Sequence, residues 1–245
     1  MPADAQISAD PQPPSPSQKL LLAPWWHTAL LIAALLFMSV KGSTSQHPLA
    51  AKSKLLQYVG TMIWEWILTA YIWLGIRKRI RLRDLVGGRW ETWEDFFLDV
   101  VYAGAFWVCA WFILGVLAWM MHLAEPGKLE SMRKQLGFLA PETNLQLAVW
   151  FCVSATAGLC EEIIFRGYLQ RQFALAANST LAGVLISAIV FGASHGYEGV
   201  PRMILIGIYG LMFGLLAWWR KSLRAGMMAH AWHDAISGAF LRVLK

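Results

Sequence analysis

"LQLAVWFCVSATAGLCEEIIFRGYLQRQF", residues 145–173, decides the fold. An apolar and small-residue run ends in two adjacent carboxylates, Glu161 and Glu162, and the apolar pattern then resumes through Ile163, Ile164, Phe165, Tyr168 and Leu169. A bilayer-spanning helix needs about 20 mostly apolar residues, and this stretch is long enough. A charge in such a helix costs about 2.5–3.5 kcal/mol by the lower estimates, so it needs a partner or a cavity. Glu162 and Arg166 have the i, i+4 spacing with the acid N-terminal to the base, the favourable order for an ion pair on one helix. Glu161 projects about 100° from Glu162 on an α-helix and cannot share that face. One carboxylate is neutralised by its own helix, and the other faces something else.

The rest of the chain agrees with a membrane setting. It is 57% hydrophobic and 15% charged, against about 25% charged for a soluble domain. Its mean hydropathy is +0.47, and its 14 Trp suit interfacial belts. The apolar residues gather into candidate spans at 21–40, 55–76, 96–121, 145–173, 179–195, 201–219 and 223–243. The expected fold is an all-α, polytopic transmembrane bundle of about seven to eight helices enclosing an intramembrane polar cavity. Residues 1–19 are polar and proline-rich and read as a disordered tail rather than a cleaved signal. Residues 20–144 hold the N-terminal spans and polar loops, with a short amphipathic helix expected near 129–139. Residues 145–240 hold the C-terminal spans.

The net charge of +6 sits between the spans. It therefore reads as topology signal, and nucleic acid is excluded as a partner, since that would need a basic face on a soluble domain. Arg77, Lys78, Arg79, Arg81, Arg83 and Arg89 place the loop after the second span in the cytoplasm, with the N-terminus on the same side. The expected location is the plasma (inner) membrane of a prokaryote. Cys109, Cys152 and Cys160 all lie in apolar runs and read as small buried residues.

Further ionisable residues fall at membrane depth: Glu65 in "WEW", Asp99, His195, His230, His233 and Asp234. Glu65 reads as structural and Asp99 as interfacial. His195 closes "VFGASHG", with Phe191 one turn earlier on the same face. In "AHAWHDAISG", His230 and Asp234 share a face at i, i+4, which suits metal binding, water polarisation or orientation of an imidazole. His233 lies about 60° from His230 and either joins it or turns away. Three consecutive C-terminal spans each bring a carboxylate or an imidazole, and one shared cavity accommodates all of them.

In this order, E-E-x-x-x-R (Glu161, Glu162, Arg166), F-x-x-x-H (Phe191, His195) and H-x-x-x-N/D (His230, Asp234) resemble the CAAX protease and bacteriocin-processing family of intramembrane proteases, which includes the type II CAAX prenyl endopeptidases. The resemblance covers roughly residues 145–240. It implies an active site within the bilayer that cleaves a membrane-anchored protein or peptide. In it Glu161 is the base that activates water, His195 assists, and His230 with residue 234 binds the scissile carbonyl. Glu162, Arg166 and Phe191 support the site. Asp234 stands where many members carry Asn, and an ionised Asp only accepts hydrogen bonds. Glu161, His195, His230 and Asp234 are also ligand types for Zn²⁺. There is no H-E-x-x-H here, and a metal-free glutamate mechanism is the preferred form beside a zinc one.

Two rival readings use the same residues. "GASHG" at 192–196 fits G-x-S-x-G, and a rhomboid-like dyad would pair Ser194 with a histidine. It lacks the strand–turn–helix context of the soluble hydrolases and leaves the glutamate pair and Asp234 unexplained. Alternatively, the cavity serves a transporter or a non-catalytic peptide-binding or immunity protein, since fold alone does not set function. Counted from the cytoplasmic helix ends, His195 lies roughly 25 Å deep and His230 roughly 12 Å deep at 1.5 Å per residue, a mismatch that the fold must resolve.

Overall fold

The computed structural model describes residues 21–44, 54–125, 127 and 140–243. The expected tail at 1–19 and the expected amphipathic helix near 129–139 lie outside the described residues. Among the described residues the structure is helical throughout and has no strand. Helices occupy all seven expected positions: α1 Trp25–Thr44, α2 Lys54–Ile76, α4 Trp93–Ala124, α5 Asn144–Glu161, α7 Thr180–Ser194, α8 Val200–Arg220 and α9 Arg224–Val243. A one-turn α3 (Leu82–Val86) interrupts the basic loop. After α5 the chain continues without a break through a π-helical segment, Glu162–Leu169, into α6, Gln170–Ala177.

Local chemistry sets the helix ends. Thr92 and Asp95 form a reciprocal capping box at the start of α4: the Asp95 amide donates to Thr92 Oγ1 at 3.3 Å, and the Thr92 amide donates to Asp95 Oδ2 at 3.1 Å. Thr143 caps α5 through the Gln146 amide, and Ser179 caps α7 through the Ala182 amide. Asn178 takes the left-handed conformation, φ 50°, and turns the chain between α6 and α7.

Five helical stretches are long and apolar enough to cross a bilayer: Trp25–Ser43, Lys54–Ile76, Trp93–Ala124, Asn144–Ala177 and Val200–Arg220. The protein is an integral membrane protein. The seven expected spans are therefore not seven equal crossings. At 15 residues, α7 rises only about 22 Å, short of a hydrocarbon core of about 30 Å, and α9 falls outside the apolar set. The outer surface carries the residues that lipid would cover, including Trp26, Phe37, Phe112, Ile189 and Trp219, all exposed. In α4 the buried side chains are Asp99, Ala103 and Ala110, with Phe106 and Trp107 partly buried beside them against the bundle, while Phe97, Val101 and Phe112 are exposed.

The continuous α5–π–α6 helix is the centre of the molecule, with α2, α7 and α9 packed around it and α4 and α8 closing the far side of α9. Ile164, Phe165, Tyr168 and Leu169 fill the space between α1, α2 and α7, against Leu31, Ile72 and Phe191. Buried polar bonds tie α1 to the same helix. Thr28 Oγ1 and Tyr168 Oη lie 2.8 Å apart, His27 Nδ1 lies 3.1 Å from Tyr168 Oη, and Gln172 Nε2 donates to the Ala23 carbonyl at 2.7 Å.

Asp99, expected to be interfacial, has its partners near helix ends. It is fully buried and clamps three segments, with Arg220 Nη2 at 3.3 Å, Arg224 Nε at 2.8 Å and Trp90 Nε1 donating to Oδ2 at 2.9 Å. A buried carboxylate needs such partners, and two arginines at the α8–α9 turn supply them.

Candidate functional site

The glutamate pair sits where the central helix changes its winding. Glu161 is the last α-helical residue, and Glu162 opens the π segment. Hydrogen bonds of i→i+5 type widen the turn, a feature frequent at functional sites. Glu161 and Glu162 themselves keep αR backbone angles, and the two carboxylates meet different nitrogens of one ring. Both reach the same imidazole. His230 Nδ1 donates to Glu162 Oε1 at 3.1 Å, and His230 Nε2 lies 3.6 Å from Glu161 Oε2.

The expected Glu162–Arg166 pair is present and wholly buried. Arg166 Nη1 donates to Glu162 Oε1 at 2.8 Å and Nη2 donates to the Gly210 carbonyl at 3.0 Å. The guanidinium is flanked by the Phe191 and Phe213 rings, at 4.4 and 4.9 Å from their centroids. Glu162 therefore does two jobs: it balances Arg166 along its own helix and orients His230 across to α9.

Close approach of α5 and α9 makes that second contact available. A Cβ on Gly158 would stand 2.6 Å from the Met227 carbonyl oxygen and 2.8 Å from the Ala231 amide nitrogen, so only glycine lets the two backbones meet here. Trp150 Nε1 donates to the Asp234 carbonyl at 2.8 Å and fixes the helix further along. Asp234 stays on the His230 face as expected, with Oδ2 3.7 Å from Nε2. Nε2 thus looks into a space bounded by Glu161 and Asp234 at separations longer than hydrogen bonds.

His195 ends α7. Its Nδ1 lies 2.9 Å from the Phe191 carbonyl, and a carbonyl only accepts, so Nδ1 carries the proton and Nε2 is the free nitrogen. The Phe191 ring stands between the two histidines, 4.9 Å from the His195 ring and 6.1 Å from that of His230. His195 and His230 thus both contact the Phe191 ring.

Residues 143–236 match the family model described as "Type II CAAX prenyl endopeptidase Rce1-like". That stretch of the chain is similar to the Rce1-like CAAX proteases. No curated protein and no solved structure matches the chain. The Rce1-like stretch spans α5 to most of α9 and contains every motif residue; α1 to α4 lie outside it.

Two residues near the Rce1-like motifs take places that the sequence left open. His233 turns away from the motif residues, its ring 4.7 Å from Tyr209 and 5.4 Å from Trp111. Glu65, expected to be structural with an indole or a neighbouring helix as partner, is buried on α2 with no hydrogen-bond partner at Oε2. It lies within electrostatic reach of Glu161 and Asp234. Its signal in the sequence was its mid-span position; its neighbours come only from the packing of α2 on α5.

The zinc ligand set considered for Glu161, His195, His230 and Asp234 is not assembled. Among the described residues no three His, Cys, Asp or Glu side chains are gathered as metal ligands would be. The Nδ1 bonds of His230 to Glu162 and of His195 to the Phe191 carbonyl leave both Nε2 atoms open.

Proposed function

We propose that this protein is an intramembrane endopeptidase of glutamate type that hydrolyses a peptide bond of a membrane-anchored protein or peptide. The observation that carries the reading is the His230 imidazole held by Glu162 at Nδ1, with Glu161 and Asp234 both facing Nε2. Two carboxylates against the second nitrogen favour a proton there, so Nε2–H is a donor aimed into the space where a carbonyl oxygen would sit.

Glu161 takes a proton from water as the water oxygen bonds to the carbonyl carbon. The carbonyl π electrons move onto oxygen, and His230 Nε2–H donates to the oxyanion that forms. As the intermediate collapses, the C–N bond breaks and the proton held by Glu161 passes to the leaving nitrogen. His195, with Nε2 free, accepts from the water or from the substrate amide. Asp234 keeps His230 in register, and Arg166 pairs with the same Glu162 carboxylate that holds His230 at Nδ1. The basic 77–89 loop faces the cytoplasm in this reading.

Ser194 is poorly suited to a serine dyad. Its hydroxyl donates to the Phe191 carbonyl at 2.8 Å, and the imidazole nitrogen beside it, His195 Nδ1 at 3.2 Å, already carries a proton. That nitrogen cannot take another from the serine and still leave a neutral base.

The test is purified protein in vesicles, given a prenylated peptide with a C-terminal CAAX sequence and a set of single-span membrane peptides. Products are compared by mass spectrometry. Wild type and Ser194→Ala are expected to cleave the same bond, and Glu161→Ala to cleave none. Cleavage that survives Glu161→Ala and disappears in Ser194→Ala sinks the glutamate reading.

A further inference from the structure

The tyrosine on α8 that faces His230 has no part in any of the three motifs, and its environment sets it apart. Tyr209 is buried, its ring packed 4.4 Å from Phe213, 4.7 Å from His233 and 6.2 Å from His230. Packing accounts for the ring and leaves the hydroxyl unexplained. The Tyr209 hydroxyl is sequestered from solvent and has no hydrogen-bond partner among the described residues. Buried tyrosine hydroxyls usually find one, and one left unpaired bears its full desolvation penalty. A phenylalanine would fill the same space without that penalty.

The hydroxyl lies within electrostatic reach of the Asp234 and Glu162 carboxylates and the Arg166 guanidinium. With its ring 6.2 Å from that of His230, Tyr209 stands at the candidate site on the α8 side. Its hydroxyl is not taken up by Glu162, whose own Oε2 also lacks a partner. Asp234 sharpens the need for such a group. An ionised carboxylate at 234 accepts and cannot donate, so it gives a developing oxyanion no hydrogen bond. Beside His230, the space then has room for one more donor, and a phenol is a donor that stays neutral in a site rich in carboxylates.

We propose that Tyr209 is a catalytic residue that donates its hydroxyl hydrogen to the scissile carbonyl oxygen, completing with His230 Nε2–H a two-donor oxyanion site. The proposal rests on the protease reading above. No proton is transferred: the O–H bond stays intact, and the hydrogen bond shortens as negative charge grows on the carbonyl oxygen. Such a donor acts mainly in the transition state.

Tyr209→Phe tests it, on full-length protein in vesicles with whichever peptide the wild type cleaves. Loss of one oxyanion donor lowers kcat by about 10²–10³-fold, with KM changed less than about threefold because ground-state binding is spared. The thermal midpoint is expected to stay or to rise, since the removed group has no partner. A peptide phosphonate that mimics the tetrahedral intermediate should lose affinity in parallel with kcat, while a non-cleavable substrate peptide should not. Two results overturn the assignment: kcat within about threefold of wild type, or a Tyr209→Phe variant that unfolds, which would give the hydroxyl a structural partner. A wild type that cleaves no peptide sinks the protease reading itself. An active wild type with an inactive Glu161→Ala and a fully active Tyr209→Phe sinks only the role of Tyr209.

Discussion

Removing the charge of Arg166 is the sharpest physical test of the candidate site. Arg166 and Glu162 are both buried, 2% and 0% exposed. Replacing Arg166 by Met keeps much of the side-chain volume between Phe191 and Phe213 and strands the Glu162 carboxylate. Only His230 Nδ1 remains to it, and Oε2 is already without a partner. Breaking a buried pair from one side costs about 3–5 kcal/mol, which lowers the thermal midpoint of a chain of this size by on the order of 10 °C. Glu162→Gln strands the guanidinium and costs a similar amount. The double variant Glu162→Gln/Arg166→Met removes both charges, and its loss should fall short of the sum of the single losses by about 2–3 kcal/mol. Cys160 is buried while Cys109 and Cys152 are exposed. With those two changed to Ser, labelling of Cys160 by a maleimide dye during heating in detergent reports unfolding directly. Additive losses, or a single Arg166→Met loss below about 1 kcal/mol, would refute the claim that this pair holds the π-helical segment.

Three further outcomes are expected. Asp99→Asn leaves Arg220 and Arg224 without their counter-charge and should cost about 2 kcal/mol, the scale of hydrogen bonds to charged groups. The same labelling assay reads it, and an unchanged midpoint would show that the clamp is not structural. Gly158→Ala forces a methyl against the Met227 carbonyl. It should cost about 1–3 kcal/mol and also abolish cleavage by parting His230 from the glutamates; full activity at unchanged stability contradicts the geometry at the α5–α9 contact. Cleavage should persist in EDTA and 1,10-phenanthroline, because among the described residues no three His, Cys, Asp or Glu side chains are gathered as metal ligands would be. Loss of activity that added zinc restores would overturn the metal-free form.

Residue spacing along one helix was a dependable guide. The Glu162–Arg166 pair and the shared face of His230 and Asp234 follow from i, i+4 geometry, and both stand in the structure at 2.8 and 3.7 Å. What each face meets was less legible. Glu161 and Glu162 both keep αR backbone angles, but that one imidazole reaches the two carboxylates through its two nitrogens depends on how α9 packs against the central helix. Asp99 and Glu65 show the same limit. Each was visible as a charge in an apolar span, but its partners or neighbours lie on other helices.

The sequence by itself determined the membrane setting, the helical class, the place of each helix and the residues that could carry chemistry, because hydrophobic runs and local spacing are properties of one segment at a time. Tertiary structure alone decided that His230 sits between two adjacent glutamates, that Phe191 stands between His195 and His230, and that Tyr209 brings a bare hydroxyl to the same place. Those facts depend on how closely helices pack and how they are rotated. Both are set by the steric fit of residues far apart in the chain, such as Gly158 against Met227 and Ala231.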